Sequence, residues 1–422
     1  MSHTHRNAVI PERVVNLDEA RHRHGAMADH AAQMVMAGDP LADAVIAELD
    51  QLGKEGRHIL NRGLADGLAS LGEQPPSAIE ALLRQLETVP SWIDPAQIDR
   101  GEVALLSVPQ PWFEICAISS ALVHTYASPA IARLLAQTGQ LTKMASRRLV
   151  ETGMWGRQST LPGGLHRGAP GYISTAQVRL LHARIRATAL QHGWDTAVWG
   201  LPIGQTDMAR TWLDFTLTPF TALAAVGIDL SAEEQKSLYQ YWSYTAYLLG
   251  IDERFYQGVT DHASARCLQN LLDMTNAEPD DNSRALTAAM VSATAGAMAG
   301  APNPLMAEDR LRDLLHGLLW RAFGSELSDH LGIPESDATP LLPLVALLNS
   351  QARRWQTFTA DSAETARREN AQSPGPDEAF RLPGGTAYEQ NIAVPTTALS
   401  TTAESGPPGV ATGSVFTRRR QA

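Results

Sequence analysis

Cysteine is scarce in this chain, and its scarcity excludes several kinds of protein. The 422 residues include only two cysteines, Cys116 and Cys267, which lie too far apart in sequence to indicate a disulfide framework. The C-x-x-C motif is absent, which argues against zinc ribbons and thioredoxin-like redox proteins. The C-x-x-C-H motif is absent as well, so covalent heme attachment of the c-type is excluded.

Positive charge is also in short supply. Lysine and arginine together number 34 against 45 acidic residues, and the formal net charge is −11. A chain of this charge is a poor candidate for binding the phosphate backbone of nucleic acids or an anionic membrane surface. We therefore expect no nucleic-acid partner.

Long apolar runs are missing too. No stretch reaches the roughly 20 strongly apolar residues that a bilayer requires. The nearest candidate, residues 285–302, consists mostly of Ala, Gly, Thr and Ser and is interpreted as a close-packed helix. Residues 1–16 are polar and lack the apolar core of a secretory signal, so the expected compartment is the cytoplasm.

Aromatic residues and strand signals are few, and helix-forming residues dominate. Aromatics make up 6% of the chain and hydrophobic residues 44%, mostly Ala and Leu, which favour helices. The sequence predicts an all-α fold, with a single large helical domain over residues 35–357. Residues 1–34 are interpreted as a mobile arm. Residues 358–422, rich in Pro, Gly, Ser, Thr and charge, are predicted to be a disordered tail.

Local signals place several helices. Ser231 and Glu234 form an S-x-x-E capping box ahead of an aromatic segment, Tyr239 to Tyr247, which is more typical of core than of a substrate channel. A single helix is predicted over residues 207–226, with Asp207 as its N-cap.

Familiar catalytic motifs are absent. The chain contains no G-x-S-x-G, no P-loop and no G-x-G-x-x-G. The E-x-x-H at Glu55 to His58 falls short of a di-iron bundle, which needs two such helical motifs and two further glutamates. The histidines of the N-terminal arm lie in a polar segment and are interpreted as solvated.

One predicted helix, which is capped by Ser174 or Thr175 and runs to about His192, has chemically suggestive residues. At about 100° per residue, His182 shares an apolar face with Val178 and Ile185, close to Thr175 and two arginines. A histidine in such a place can ligate heme iron, and arginines can pair with propionates. It can equally be a satisfied core histidine whose neighbouring arginines serve acidic residues, and periodicity alone leaves both readings open.

An ordered set of motifs favours the first reading. The motifs are RRLVETG (147–153), PGG (162–164), VRLLHARIR (178–186), LPIGQTDMARTWLDF (201–215) and YQYWSYTAYLLGI (239–251). Together they resemble the latex-clearing-protein (rubber oxygenase) and MpaB-type oxygenase family. The resemblance covers roughly residues 110–260, and V-R-x-x-H-A-x-x-R is its most specific element.

The resemblance implies a helical fold that encloses a non-covalent b-type heme and uses O₂ as co-substrate. In this reading His182 is the iron ligand. The resemblance also implies cofactor-binding roles for Thr175, Arg179 and Arg186, which would anchor propionates or brace the ligand helix.

The resemblance also assigns residues on the oxygen side. Glu151 matches a carboxylate that would act as a base on the substrate, although it can also pair with Arg147, four residues earlier, and simply hold its helix. Arg167 is expected to be a distal-side arginine.

The chain departs from the family pattern in two places. The Lys-Thr pair of rubber oxygenases, whose lysine can occupy the distal iron position, has no counterpart at Ser174-Thr175, and Gly204 replaces a common Asn. We therefore expect a small apolar, unsaturated or isoprenoid-like substrate rather than polymeric rubber. The alternatives are a non-catalytic heme- or hydrophobic-ligand-binding helical protein and a scaffold without cofactor. The oligomeric state is not predicted.

Overall fold

The protein is described here by a computed structural model covering residues 10–109, 112–137, 141–300, 306–372 and 386–391. Almost all of its regular structure is helical. The α-helices are α1 Leu17–His24, α2 Ala26–Met34, α3 Pro40–Asp66, α4 Ser77–Glu87, α5 Pro95–Leu106, α6 Ser120–Thr125, α7 Pro129–Ala136, α8 Leu141–Thr160, α9 Pro170–Gln191, α10 Thr196–Trp199, α11 Gln205–Thr216, α12 Thr218–Ala225, α13 Ala232–Leu248, α14 Glu253–Tyr256, α15 His262–Met274, α16 Asp281–Ala299, α17 Glu308–His330, α18 Leu342–Gln356, α19 Ala360–Gln372 and α20 Ala387–Asn391.

The remaining elements are short. Two are 3₁₀ turns, Leu68–Leu71 and Thr339–Leu341, and one is a π-helical segment, Phe113–Ser119, that leads into α6. Within the ranges given above, the β-structure is a single bridge between Val14 and Asn276. The predicted all-α fold is confirmed.

Local capping explains where several helices begin. The capping box before α13 is confirmed: Ser231 N donates to Glu234 Oε2 (2.8 Å), and Glu234 N donates to Ser231 Oγ (3.2 Å). Asp39 caps α3 by accepting from Ala42 N, and Pro40 takes the first helical position, where its missing N–H is harmless.

The helix predicted over residues 207–226 is instead two helices, α11 and α12. Pro219 lies in the first turn of α12 and cannot donate a backbone hydrogen bond there, so the chain breaks around Leu217. Conversely, α3 runs without a break through Gly63 and bends at Gly53, whose φ is +58°. A side chain at Gly63 would collide with Leu83, so this glycine serves helix packing.

The N-terminal region differs from the predicted mobile arm. Residues 1–9 lie outside the described part, but α1 and α2 pack against the core through Ala20, Ala28 and Ala31, which are almost fully buried. Small apolar side chains at helical spacing give these helices a buried face. Arg13 joins the domain through a buried, two-bond contact with Asp207 (2.7 and 2.9 Å).

The C-terminal region is also partly folded. α19 and α20 lie within the predicted tail, where composition alone indicated no structure. Asn370 Nδ2 donates to the carbonyls of Leu106 (2.8 Å) and Val108 (3.2 Å), and Tyr388 is buried. Tertiary contacts of this kind are invisible to a compositional argument, and they order segments that have little apolar periodicity of their own.

The helices that hold the predicted site residues are central. α8 packs between α9 and α16, and α9 packs against α3. Elsewhere, α5 and α13 approach closely at Gly101, where a Cβ atom would lie 2.6 Å from Tyr241 Cβ. In the described part of the chain, no single helix has the length and apolar character to cross a membrane; one pair bent by 95°, Phe113–Thr125 with Pro129–Ala136, has them jointly by length and composition alone.

Candidate active site

His182 lies in the middle of α9 and is partly buried. Its Nδ1 atom is buried and has no hydrogen-bond partner. Burial, reinforced by the charge of Arg186, lowers the pKa of His182 to about 4, so the ring is neutral near pH 7. A neutral imidazole with an unpaired buried nitrogen has the chemistry of a metal ligand, and it fits the role that the family resemblance gives to this residue.

Arg179 is held entirely by protein groups. Its guanidinium makes two bonds to the Asp39 carboxylate (2.5 and 3.0 Å) and one to Gln85 Oε1 (2.6 Å). It also donates to the carbonyl of Leu248 (3.3 Å). Because Asp39 immediately precedes α3, this cluster fixes α9 against the start of α3.

Arg186 is held in a similar way, one side of its guanidinium by a carboxylate and the other by carbonyls. Nε donates to Asp43 Oδ1 (3.0 Å), and Nη1 donates to the carbonyl oxygens of Ile203 and Pro202. Ile203 has a φ of +53°, which is unusual for a β-branched residue. In this geometry both predicted cofactor arginines brace the helix of His182, and their pairing with propionates stays a prediction.

Thr175 connects α9 to α8. It is fully buried, donates to the carbonyl of Gly171 (2.6 Å) and accepts a hydrogen bond from Trp155 Nε1 (3.0 Å). Thr175 lies two helical turns before His182 on nearly the same face. The predicted cofactor-binding threonine therefore links α9, the helix that bears His182, to a tryptophan of α8.

Glu151 lies on α8, only 9% exposed. Its Oε1 accepts from Arg147 Nε (2.8 Å), the pairing that the sequence indicated, and from the backbone N–H of Ala387 (2.6 Å). The second contact comes from α20, 236 residues further along the chain, and no sequence signal pointed to it. The C-terminal segment thus covers the candidate base.

Arg148, next to the Arg147–Glu151 pair, was missed by sequence reasoning. Its Nη1 atom is buried without a hydrogen-bond partner. Burial raises the pKa of the nearby Tyr126 hydroxyl, and the charge of Arg148 opposes that rise. The RR of the RRLVETG motif was the available signal, because it places a second guanidinium one turn from Glu151.

Arg167 lies apart from these groups. Its side chain is exposed, and its guanidinium lies so close to Gly67 that a side chain there would collide with it. Among the residues that the structure describes, no hydrogen bond joins Arg167 to Glu151 or His182. Its predicted distal-side role remains untested.

An apolar cavity lies against α8. Leu105, Phe113, Trp155, Phe215, Tyr241 and Trp242 contribute to its wall. Its enclosed space is about 30 Å³, room for roughly two water molecules. The rings of Trp155, Phe215 and Trp242 lie 6.0–6.4 Å apart, centre to centre. Because Trp155 also bonds Thr175, the cavity wall is connected to the helix of His182.

The aromatic cluster of α13 divides between two roles. Tyr241 and Trp242 line the cavity, whereas Tyr239 is core and its hydroxyl bonds His262 Nδ1 (2.6 Å). Burial raises the pKa of Tyr241 far above its ordinary value, so its hydroxyl is always protonated. Tyr239 and Tyr241 are both almost fully buried, so the core interpretation fits them, and Tyr241 and Trp242 also contribute to the cavity wall.

Two of the quoted motifs shape the backbone around the site. Gly163 has a φ of +74°, and its N–H donates to Glu102 Oε2 (2.8 Å). A Cβ atom on Gly164 would lie 2.7 Å from the carbonyl oxygen of Ser159, so the PGG turn between α8 and α9 needs glycine. Gln205 of the P-I-x-Q-x-D motif donates to the carbonyls of Gly38 and Gly250 (3.0 Å each).

Asp207 is not the N-cap of its helix. α11 begins at Gln205, and Asp207 occupies the third position, where its carboxylate accepts from Gly204 N (3.2 Å) and from Arg13. The role is structural, as expected, but it is exerted from inside the helix because the chain turns helical two residues earlier than predicted.

A second buried histidine, His124, was also missed. His124 Nδ1 lies 2.7 Å from Asp214 Oδ1, and Thr125 Oγ1 donates to Asp214 Oδ2 (3.0 Å). Burial alone would lower the pKa of His124, but the Asp214 carboxylate raises it above its ordinary value. The partners are 90 residues apart, so no local pattern links them. In the described ranges, no group of three or more His, Cys, Asp or Glu side chains is arranged to hold a metal ion.

The fold and the site define an all-helical protein built around a helix with one neutral, unpaired histidine. Comparison with known proteins identifies the class. Residues 114–354, more than half of the chain, match the family described as ER-bound oxygenase mpaB/B'/Rubber oxygenase, catalytic domain. The chain belongs to this family, and the resemblance seen in its motifs is confirmed.

Individual relatives agree with the family assignment. The chain is 24% identical over 237 residues to a rubber oxygenase of Streptomyces sp. (strain K30), an alignment covering 55% of this chain and 56% of that protein. It thus spans about half the length of the curated relative it matches. The solved structure of latex clearing protein LCP in the closed state superposes with a TM-score of 0.59 at 18% identity, covering 80% of this chain and 91% of the other. At that identity the likeness concerns the fold alone.

Proposed function

We propose that this protein is an oxygenase that uses a non-covalent b-type heme and O₂ to act on a small apolar, unsaturated or isoprenoid-like molecule. The observation that carries the proposal is the buried, unpaired Nδ1 of a neutral His182 within the V-R-x-x-H-A-x-x-R motif. The family match and the apolar cavity support it. That the protein works in the cytoplasm remains a prediction.

His182 would hold the heme iron, and a bound heme supplies the activation of O₂. The protein's own contribution begins with orientation. Arg179 and Arg186, each fixed by a carboxylate, prevent α9 from rotating or sliding, so the imidazole keeps one direction. Thr175 bonds Trp155, which contributes to the wall of the apolar cavity, and an apolar lining of this kind favours a hydrocarbon over a polar ligand.

Glu151 is the proposed base. Both of its hydrogen bonds are accepted by Oε1, and we assign proton uptake from the substrate to Oε2. Arg147 Nε and the Ala387 N–H both donate to Oε1 and so hold the carboxylate in one orientation. We also propose that the exposed Arg167 acts on the distal side of the heme, and this assignment rests on the family resemblance.

The test is the visible absorption spectrum of the purified protein, recorded as isolated and after reduction. We expect a Soret band that His182→Ala removes or shifts. His192→Ala is the matched control, because His192 lies just beyond the same helix and bonds only the carbonyl of Thr188. A protein without a Soret band, even after expression with a heme precursor, would contradict the proposal.

The second candidate is a heme- or hydrophobic-ligand-binding protein without turnover. It is favoured by the engagement of Glu151 with Arg147 and α20, which is also what a purely structural carboxylate would show. Oxygen uptake with isoprenoid substrates separates the two. An enzyme loses uptake in Glu151→Ala while keeping its Soret band, whereas a carrier shows no uptake in either form.

A further inference from the structure

Helix α18 is attached to the domain by one face. Leu342 is fully buried at its start, and Asn349 Nδ2 donates to the carbonyl of Val226 (2.8 Å). Near its end, Arg353 donates to the carbonyl of Ser107 (2.8 Å) and to Glu234 Oε1 (2.8 Å). These residues recur at helical spacing, so they define a single inner face.

The opposite face of α18 is apolar and exposed. Six of the thirteen exposed large hydrophobic side chains in the described residues lie between 341 and 358. We call these six the apolar stripe: Leu341, Leu344, Leu347, Leu348, Trp355 and Phe358. Their exposed fractions run from 56% to 75%. A surface helix normally turns polar residues outward, and a contiguous exposed apolar patch marks an interaction site.

The composition of α18 indicates what the apolar stripe contacts. Leucines occupy its first half, and a Trp355–Phe358 pair, with ring centres 6.0 Å apart, lies at and just beyond its C-terminal end. Arg354 is its one exposed charged residue, because Arg353 faces inward, and the helix has no acidic residue. Leucine along one face, aromatic rings at an end and arginine beside them are the features of a helix that lies in a lipid–water interface.

The net charge of the chain indicates which kind of surface the apolar stripe binds. The chain has a formal net charge of −11, which opposes association with an anionic surface or with a second, equally charged copy. A zwitterionic lipid layer carries no net charge and lacks this repulsion. Among these surfaces, it is the one that both the apolar stripe and the charge of the whole chain favour.

The position of α18 would connect a lipid contact to the apolar cavity. Arg353 and Gln356 both donate to the carbonyl of Ser107, whose neighbour Val108 lines the apolar cavity. The helix that bears the apolar stripe is therefore bonded to the residue that precedes Val108 of the cavity wall. We propose that α18 docks the protein on the surface of zwitterionic lipid through the apolar stripe. This contact needs neither cofactor nor turnover, so it stands apart from the proposed oxygenase activity.

Binding to vesicles of phosphatidylcholine tests the proposal with the full chain. We expect the wild-type protein to co-sediment with the vesicles. The double variant Leu347→Ser, Leu348→Ser should bind at least about tenfold more weakly, because two leucines leave the interface. The matched control is Val89→Ser, Leu190→Ser, which removes two exposed apolar side chains elsewhere and should bind like wild type. Thermal unfolding by circular dichroism verifies that each variant is folded.

Trp355 provides an independent readout. Vesicles should shift the tryptophan emission of the wild type to shorter wavelengths, and most of that shift should vanish in Trp355→Phe. Failure of the wild type to bind vesicles would overturn the proposal, as would equal binding by the double variant and its control. If vesicle binding is absent and sedimentation equilibrium finds a dimer that the double variant dissociates, the apolar stripe belongs to a second copy instead.

Discussion

At the scale of single residues, His182 makes stability depend on pH. Its folded pKa of about 4 lies below the ordinary 6.5, so between these values the unfolded chain binds a proton that the folded chain does not. Its contribution is therefore complete above pH 6.5 and is lost as the pH falls toward 4. In the heme-free protein we expect His182→Leu to reduce the loss of unfolding free energy between pH 7 and pH 4 by about 3 kcal/mol. Urea denaturation at both pH values measures this, and equal losses in the two proteins would refute it.

The contribution of His124 to stability depends on pH with the opposite sign. Its pKa is raised by Asp214 in spite of burial, so its contribution is complete below the ordinary value and is lost as the pH rises through the folded pKa. Asp214→Ala leaves a buried imidazole and the Thr125 hydroxyl without their shared acceptor. We expect it to lower the unfolding free energy by about 3–5 kcal/mol at pH 6 and by less at alkaline pH. Asp214→Asn, which keeps an acceptor oxygen, should lower it less at pH 6.

At the scale of elements, the Trp155–Thr175 hydrogen bond joins α8 to α9. Thr175→Val keeps the shape of the side chain but leaves the Trp155 N–H without its acceptor, so we expect a loss of about 1–3 kcal/mol in unfolding free energy. Thr160→Val is the matched control, because the buried Thr160 hydroxyl bonds only a carbonyl of its own helix, that of Arg157. Chemical denaturation should find a smaller loss for the control, and equal losses would argue against the interhelical role.

The close contact of α5 with α13 gives a second prediction for elements. A methyl group at Gly101 would meet Tyr241 Cβ at 2.6 Å and the Ser237 carbonyl at 2.8 Å. Gly101→Ala should therefore separate the two helices and cost about 1–3 kcal/mol in unfolding free energy, although alanine favours a helix. Gly258→Ala, where nothing lies within 4 Å of the added atom, is the control expected to show no such loss.

The elements that could be predicted from the sequence are those fixed by interactions between residues close together in the chain. The capping box at Ser231 and Glu234 acts within four residues, so the start of α13 was correct. The groups that fix α9 are Asp39 and Asp43, which lie 140 and 143 residues from their arginines. Periodicity predicted the helix and its histidine. It could not decide between the two roles of the arginines, because their partners are brought near only when the chain folds.

At the scale of the whole molecule, the C-terminal segment closes over the candidate base. Ala387 N–H donates to Glu151, and Tyr388 beside it is buried. We expect Glu151→Ala to increase amide hydrogen exchange across residues 386–391, because the acceptor that holds this segment is gone. Glu151→Gln should increase it less. Exchange within residues 360–372 serves as the internal control, and an unchanged rate in 386–391 would mean that other contacts hold the segment.

Asp39 and Asp43 also bear on the order in which the finished protein is assembled. They secure α9 with bonds made by the polypeptide alone, so the imidazole reaches its final position when the chain folds. If the protein holds the proposed heme, heme uptake is then a bimolecular capture that follows folding instead of a step within it. Under that proposal, a cell short of iron would accumulate folded protein without heme, which could bind heme later without being made again.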